Sequence, residues 1–267
     1  MFEIVFLGTS SSAPSIHRGL SANMVLYKEY RFLIDCGEGT QRQLLQSGLG
    51  FRRLNKILLT HGHLDHILGL AGLASTFGRW EAIEQLDIYG GESTLKRVGV
   101  LIDQVVMPPL KVVYHTLKPG LIFEDKTLSV SAFPVSHRGS GCFGFLFEEK
   151  AKQPFNAKKA DVLQIPHGPE RKRLIDGETV TLADGRTIRP EDVLGDEIPG
   201  TKLAFIADVG DTESLKPYVQ DADAMVIEST YLSPETHMAR QFGHITAKEA
   251  AELAISANIK HLYLTHV

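Results

Sequence analysis

The chain of 267 residues is poor in cysteine and tryptophan, with two of the first and one of the second. Cys36 and Cys142 cannot build a disulfide framework, and such sparse use fits a reducing compartment. No apolar run approaches the roughly 20 residues needed to span a bilayer. Residues 1–8 have neither a basic flank nor a small-residue cleavage site, so they do not read as a secretory signal. With 43% hydrophobic and 22% charged residues, disordered and collagen-like architectures are excluded. A surplus of positive charge is missing as well: the net charge of −4 argues against a uniformly basic nucleic-acid binder. These absences predict a soluble, cytoplasmic, globular protein.

What charge there is lies unevenly. Residues 150–189 hold nine Lys/Arg and five Asp/Glu, whereas the rest of the chain holds 19 and 27. A basic segment on an acidic body points to a polyanion contact confined to one appendage, the plain alternative being a solvated loop. Residues 150–200 also contain ten glycines and prolines. This stretch reads as an inserted arm outside the core, with a small hairpin at 179–188 around Asp184-Gly185.

Outside the arm, strand-like runs recur at 3–7, 24–27, 31–34, 56–59 and 86–89, then at 128–135, 143–147, 202–206, 224–228 and 261–264. Several are almost wholly apolar, as expected of strands covered on both faces. Helical patterns lie at 41–46 and 66–77. A third starts at Thr246, where Thr-Ala-Lys-Glu forms a capping box ahead of Ala250, Leu253, Ala254 and Ala257 at helical spacing. The pattern predicts an α/β fold of two packed β-sheets covered by helices, one domain over 1–267 with the arm at 150–200 inserted in it.

The densest chemical signal is His61-Gly-His63-Leu-Asp65-His66, directly after an apolar run. Imidazole nitrogens and a carboxylate suit zinc, and also manganese or iron. Four donors in six residues cannot all converge on one ion. His61 and His63 share an extended turn, while Asp65 and His66 open the next helix and point elsewhere, so two adjacent ions are expected. Further donors close later strand-like runs: His137, Asp208 and His266. The expected arrangement groups His61, His63 and His137 on one ion and Asp65, His66 and His266 on the other, with Asp208 bridging. Asp208 is preferred to Asp211, three residues on, because it directly ends its strand. Asp35 also ends a strand-like run. It reads either as a partner that fixes the tautomer of a ligand histidine or as a cap for the helix at Thr40.

HxHxDH followed by a distant His, Asp and His resembles the metallo-β-lactamase superfamily. Within it, the segments FLGTSSSAPS, LIDCGEGTQRQL, LLTHGHLDHILGL, FPVSHRGSGCFGF, FGHITAKEAAELA and LYLTHV resemble the short form of ribonuclease Z, the tRNA 3′-processing endonuclease family. That resemblance spans essentially the whole chain. It implies a metallo-β-lactamase-like αββα sandwich of two mixed sheets and removal of the 3′ trailer from precursor tRNA, carried out by a homodimer with two Zn2+ per subunit. By the same resemblance, Asp65 accepts a proton from the attacking water and His244 donates one to the leaving oxygen; Glu228, like Asp35, reads as a support for a histidine, here His244. The arm residues Lys158, Lys159, Arg171, Lys172 and Arg173 would hold the tRNA body. Similar proteins continue past the last histidine with a Ser/Arg/Tyr-containing tail, so an end one residue after His266 reads as a shortened chain. Other hydrolases share the ligand set, so a general phosphodiesterase or a thioesterase resembling glyoxalase II stays open. So does a non-catalytic RNA-binding relative. A flavo-diiron oxidoreductase would carry Glu in the early cluster and a flavin domain.

Overall fold

A computed structural model describes residues 1–106 and 108–267, which divide into two compact units, Glu149–Gly200 and the remainder. Two six-stranded sheets build the larger unit, the body. The first comprises β1 (Glu3–Gly8), β2 (Ala22–Tyr27), β3 (Tyr30–Ile34), β4 (Lys56–Leu58), β5 (Gln85–Gly90) and β6 (Lys111–Thr116), side by side in that order. Its first three strands are antiparallel and β3 to β6 are parallel. The second sheet runs β14-β13-β12-β9-β8-β7. Its members are β7 (Gly120–Glu124), β8 (Leu128–Pro134), β9 (Phe143–Glu149), β12 (Lys202–Phe205), β13 (Ala224–Glu228) and β14 (His261–Thr265), with β10 and β11 falling in the arm. Here β12, β13 and β14 are parallel, and β9 is antiparallel to β12.

Side-chain alternation sorts these strands into layers. Leu33 faces a cluster formed with α1 (Thr40–Gln46), α3 (Leu70–Trp80) and α4 (Glu92–Ile102), through Leu44, Phe77 and Val98. Its neighbours Phe32 and Ile34 face the other way, into a core shared with Phe145, Phe147, Leu203 and Phe205 of the second sheet. On that sheet's outer face, Ala204, Met225 and Ile227 meet Val219 of α8 (Lys216–Val219) and Leu253 of α10 (Ala247–Ser256). The layers are therefore helix, sheet, sheet, helix, the metallo-β-lactamase fold. Burial on both faces explains the unbroken apolar runs. Thr246 caps α10 as the sequence predicts, its hydroxyl accepting from the Glu249 N–H while Glu249 accepts from the Thr246 N–H.

Two strands escaped the sequence pattern, β6 and β7, both half-exposed edge strands. The single helix expected at 66–77 is broken into α2 (Leu64–Ile67) and α3. Gly69 forms the break, where a Cβ would lie 2.1 Å from the Gly37 carbonyl oxygen. That close approach lets the Gly69 N–H donate to the Cys36 carbonyl and the Cys36 N–H to the His66 carbonyl. The turn after β3 is thereby pinned to α2. No helix among the described residues is long and apolar enough to cross a membrane.

The arm is more ordered than its composition predicts. It carries α5 (Ala157–Val162), α6 (Pro169–Ile175), α7 (Pro190–Val193) and a hairpin of β10 (Val180–Thr181) with β11 (Thr187–Ile188). Ala160, Ile165, Leu174, Val180, Leu182, Ile188 and Val193 form its own buried cluster.

Candidate metal centre

Apart from Asp65 and His66, which lie on α2, the expected metal ligands and Asp35 follow the C-terminal ends of strands. Asp35 follows β3, His61 and His63 follow β4, His137 follows β8, Asp208 follows β12 and His266 follows β14. Parallel strands end on one side of a sheet, so the fold gathers these residues along a single edge, the usual place for sites in such sheets. Ligand atoms of His61, His63, His137 and Asp208 lie within 4.8 Å of one another, as do those of Asp65, His66 and His266.

Asp208 stands between the two groups. Its Oδ2 is 3.6 Å from both His61 Nε2 and His137 Nε2, while its Oδ1 is 3.3 Å from His66 Nε2 and 3.2 Å from His266 Nε2. Asp65 Oδ2 is 3.5 Å from His66 Nε2 and 3.6 Å from His266 Nε2, and accepts from the Ser12 N–H at 3.1 Å. Asp211 lies outside the cluster, its carboxylate accepting from the N–H groups of Glu213 and Ser214.

A second ring of contacts orients the imidazoles. His66 Nδ1 is 2.7 Å from Asp35 Oδ2, and Asp35 Oδ1 accepts from the N–H of Thr60 at 2.9 Å. Asp35 therefore holds a histidine and does not cap α1, whose N-cap Gly39 makes no side-chain bond. Its φ of 58° is a left-handed value that aspartate tolerates better than most residues. Thr60 Oγ1 meets His61 Nδ1 at 3.0 Å, His137 Nδ1 meets the Gly243 carbonyl at 2.7 Å, and Thr230 Oγ1 meets His266 Nδ1 at 3.0 Å. With Nδ1 occupied, Nε2 of each ring is left to face the centre. The roles of Thr60 and Thr230 went unread in the sequence, though each adjoins a singled-out residue: Thr60 precedes His61, and Thr230 lies two beyond Glu228.

The fit to metal can be tested on buried polar atoms. His61 Nε2, His66 Nε2, His266 Nε2 and Asp208 Oδ1 are buried without any hydrogen-bond partner. Leaving such an atom unsatisfied costs roughly 1–3 kcal/mol, and four of them occur within one cluster. Neutral imidazole and carboxylate donors so placed fit divalent cations. Electrostatics agrees: burial, reinforced by the His66 charge, holds His61 well below its ordinary pKa, and burial lowers His137 to about 4. Both are neutral and ready to coordinate. Burial opposes ionisation of Asp208, but His66 and His266 outweigh it and hold the carboxyl well below its usual range. Burial likewise disfavours charge on His66, yet Asp208 and Asp35 raise its pKa well above the ordinary value. A cation reaching Asp208 would displace that proton.

Against this centre sits His244, whose Nδ1 is 3.0 Å from Glu228 Oε1. Glu228 is itself fully buried, accepting from the Val209 N–H and the Thr230 hydroxyl.

A β-lactamase superfamily domain model matches residues 159–267, and a model described as anti-Pycsar protein Apyc1 matches residues 2–100. Ribonuclease Z of Bradyrhizobium diazoefficiens is 45% identical over 270 residues, which is all of this chain and 90% of that protein. The chain belongs to the ribonuclease Z family. Ribonuclease Z of Myxococcus xanthus is 37% identical, again over all of this chain and 87% of the relative. Among solved structures, human tRNase Z, short form, superposes with a TM-score of 0.72 at 26% identity, covering 100% of this chain and 92% of that one.

In the arm, the five basic residues named from the family resemblance part company. Lys158, Lys159 and Lys172 are exposed, and Arg173 is exposed but paired with Glu178 at 2.9 Å. Arg171 is a correction: its guanidinium is buried and donates to the Ile165 carbonyl and Asp161, so it holds α6 against α5 and is not offered to RNA.

Proposed function

We propose that this ribonuclease Z family member is a metal-dependent endoribonuclease that removes the 3′ trailer of precursor tRNA by hydrolysing one phosphodiester. The observation that carries this reading is the gathering of His61, His63 and His137 on one side of Asp208 and Asp65, His66 and His266 on the other, with four of these residues' donor atoms buried and unpartnered. His61, His63 and His137 would hold one ion, Asp65, His66 and His266 the other, and Asp208 both. Zn2+ suits this nitrogen-rich set best, with Mn2+ or Fe2+ as substitutes. Two such cations, when bound, would supply Lewis acidity that lowers the pKa of a coordinated water toward neutrality and offsets negative charge at the phosphoryl group.

The chain's own residues manage the protons. Asp65 is ionised, because contacts with His266 and His66 outweigh its burial and lower its pKa. It accepts a proton from the attacking water as the new P–O bond forms. His244 keeps its own proton more firmly than an ordinary histidine, since its bond to Glu228 overcomes the effect of burial. With Nδ1 turned to Glu228, Nε2 delivers that proton to the leaving oxygen as the old P–O bond breaks. Such assistance is worth roughly 10²- to 10⁴-fold. Exposed lysines of the arm would engage tRNA phosphates, since folded RNA is recognised largely through shape and backbone. The family resemblance supports a homodimer working in the cytoplasm.

The ligand set would equally serve a general phosphodiesterase. Incubation of metal-loaded protein with 3′-extended precursor tRNA separates the two. A single cut at the acceptor-stem 3′ boundary, abolished by chelation, is expected. Hydrolysis of small diesters with the precursor left whole would defeat the tRNA reading.

A further inference from the structure

Two arginines stand beside the metal centre with no carboxylate partner among the described residues. Arg97, on the exposed face of α4, donates through Nη1 to the Gly62 carbonyl at 3.0 Å, between His61 and His63. Arg138 directly follows His137. Its Nη2 donates to the Gln241 carbonyl at 2.6 Å, and the guanidinium lies 5.3 Å from the Phe242 ring centroid. The two belong to one wall. The start of α4 meets the loop after β8, with the Ser93 hydroxyl donating to the Ser140 carbonyl at 3.4 Å, and Gly91 packing on Gly141. That loop in turn reaches Gly243, which lies against the Arg138 stem and accepts from His137.

A guanidinium has five N–H donors, and each of these uses one on a backbone carbonyl. The carbonyl holds the group in place and leaves the remaining donors for a partner. Exposed, unneutralised cations next to a centre that collects divalent cations would repel them. Their placement makes sense if a polyanion lies along the wall while the centre is loaded. Planar guanidinium groups bind phosphate oxygens in pairs, which a lysine cannot reproduce.

We infer that Arg97 and Arg138 clamp the RNA phosphodiesters that adjoin the one being cut, Arg97 on the His63 side and Arg138 on the His244 side. This rests on the nuclease reading above and adds to it a means of setting the register of the strand. The test compares wild type with R97Q, R138Q and the double variant on precursor tRNA and on bis(4-nitrophenyl) phosphate, across a range of salt concentrations. Each single change should lower kcat/KM on precursor tRNA by about 10-fold, mostly through KM. Turnover of the small diester and the metal content should stay within twofold. Each should also flatten the dependence of log(kcat/KM) on log salt by about 0.7 to 0.9, the signature of one lost phosphate contact. R97K and R138K should regain that slope while recovering only part of the affinity. If wild type leaves precursor tRNA uncut, the nuclease reading fails. If wild type cuts while R97Q and R138Q keep its salt slope, or lose both substrates equally, the clamp alone is overturned.

Discussion

In the body, three apolar clusters pack between and outside two six-stranded sheets, yet four buried donor atoms of the candidate metal centre have no partner among the described residues. In the arm, a single cluster of seven buried residues supports three short helices and a hairpin, and its one buried charge, Arg171, is satisfied by Ile165 and Asp161. The body carries enough core to tolerate unsatisfied atoms where a ligand will complete them. The arm has little core to spare, and its exposed lysines contribute only surface charge. On the proposed function, chemistry and docking would thus be built from different materials, and changes in each should be felt by different substrates.

The largest expected effect tests the body. Asp208→Ala removes the carboxylate common to both donor groups. It should lower turnover of precursor tRNA and small diester alike by more than about 10³-fold, with bound metal falling below one ion per chain in elemental analysis. A variant that kept two ions would show that Asp208 is not shared. Next, His244→Ala should reduce kcat roughly 10²- to 10⁴-fold with metal content unchanged. Its pH counterpart is Glu228→Gln. A general acid works protonated, so activity holds below its pKa and falls as pH rises through it. Glu228 raises that pKa, so removing its charge should move the alkaline limb of the kcat/KM profile to lower pH; an unmoved limb would exclude His244 as the acid. Asp35→Asn should weaken metal retention about 10- to 100-fold in a competition with chelator.

The arm gives the mirror image. Deleting 152–198 should raise KM for precursor tRNA strongly and leave bis(4-nitrophenyl) phosphate turnover nearly intact. Leu174→Ala, a cavity of the kind that costs about 2–5 kcal/mol, should act in the same sense more weakly. Equal losses on both substrates would erase the division between the two regions.

How far sequence alone reaches follows the same divide. Strands buried on both faces, such as β12 and β13, announce themselves as apolar runs, and a dense cluster such as His61 to His66 carries its own meaning. The edge strands β6 and β7 pack on fewer neighbours, so selection for apolar residues is weaker and the pattern fades. In α4, Gly99 and β-branched Thr94, Val98, Val100 and Ile102 mute the helical signal. The arm's helices were hidden by its glycines and prolines, although Asn156 as an N-cap and Pro169 in the first turn were available cues. Residues acting through backbone groups or single hydroxyls, such as Ser12, Thr60 and Thr230, leave no spacing rule to read.

One side chain reaches toward both halves of the centre. Asp35 grips His66 directly and His61 by way of the Thr60 hydroxyl. Ordering either ring therefore helps to order the other, so on the proposed two-ion reading the first ion would prepare the seat of the second. Calorimetric titration of the stripped protein should accordingly give an isotherm steeper than two independent sites allow, and Thr60→Val, which cuts the link, should return it to independence.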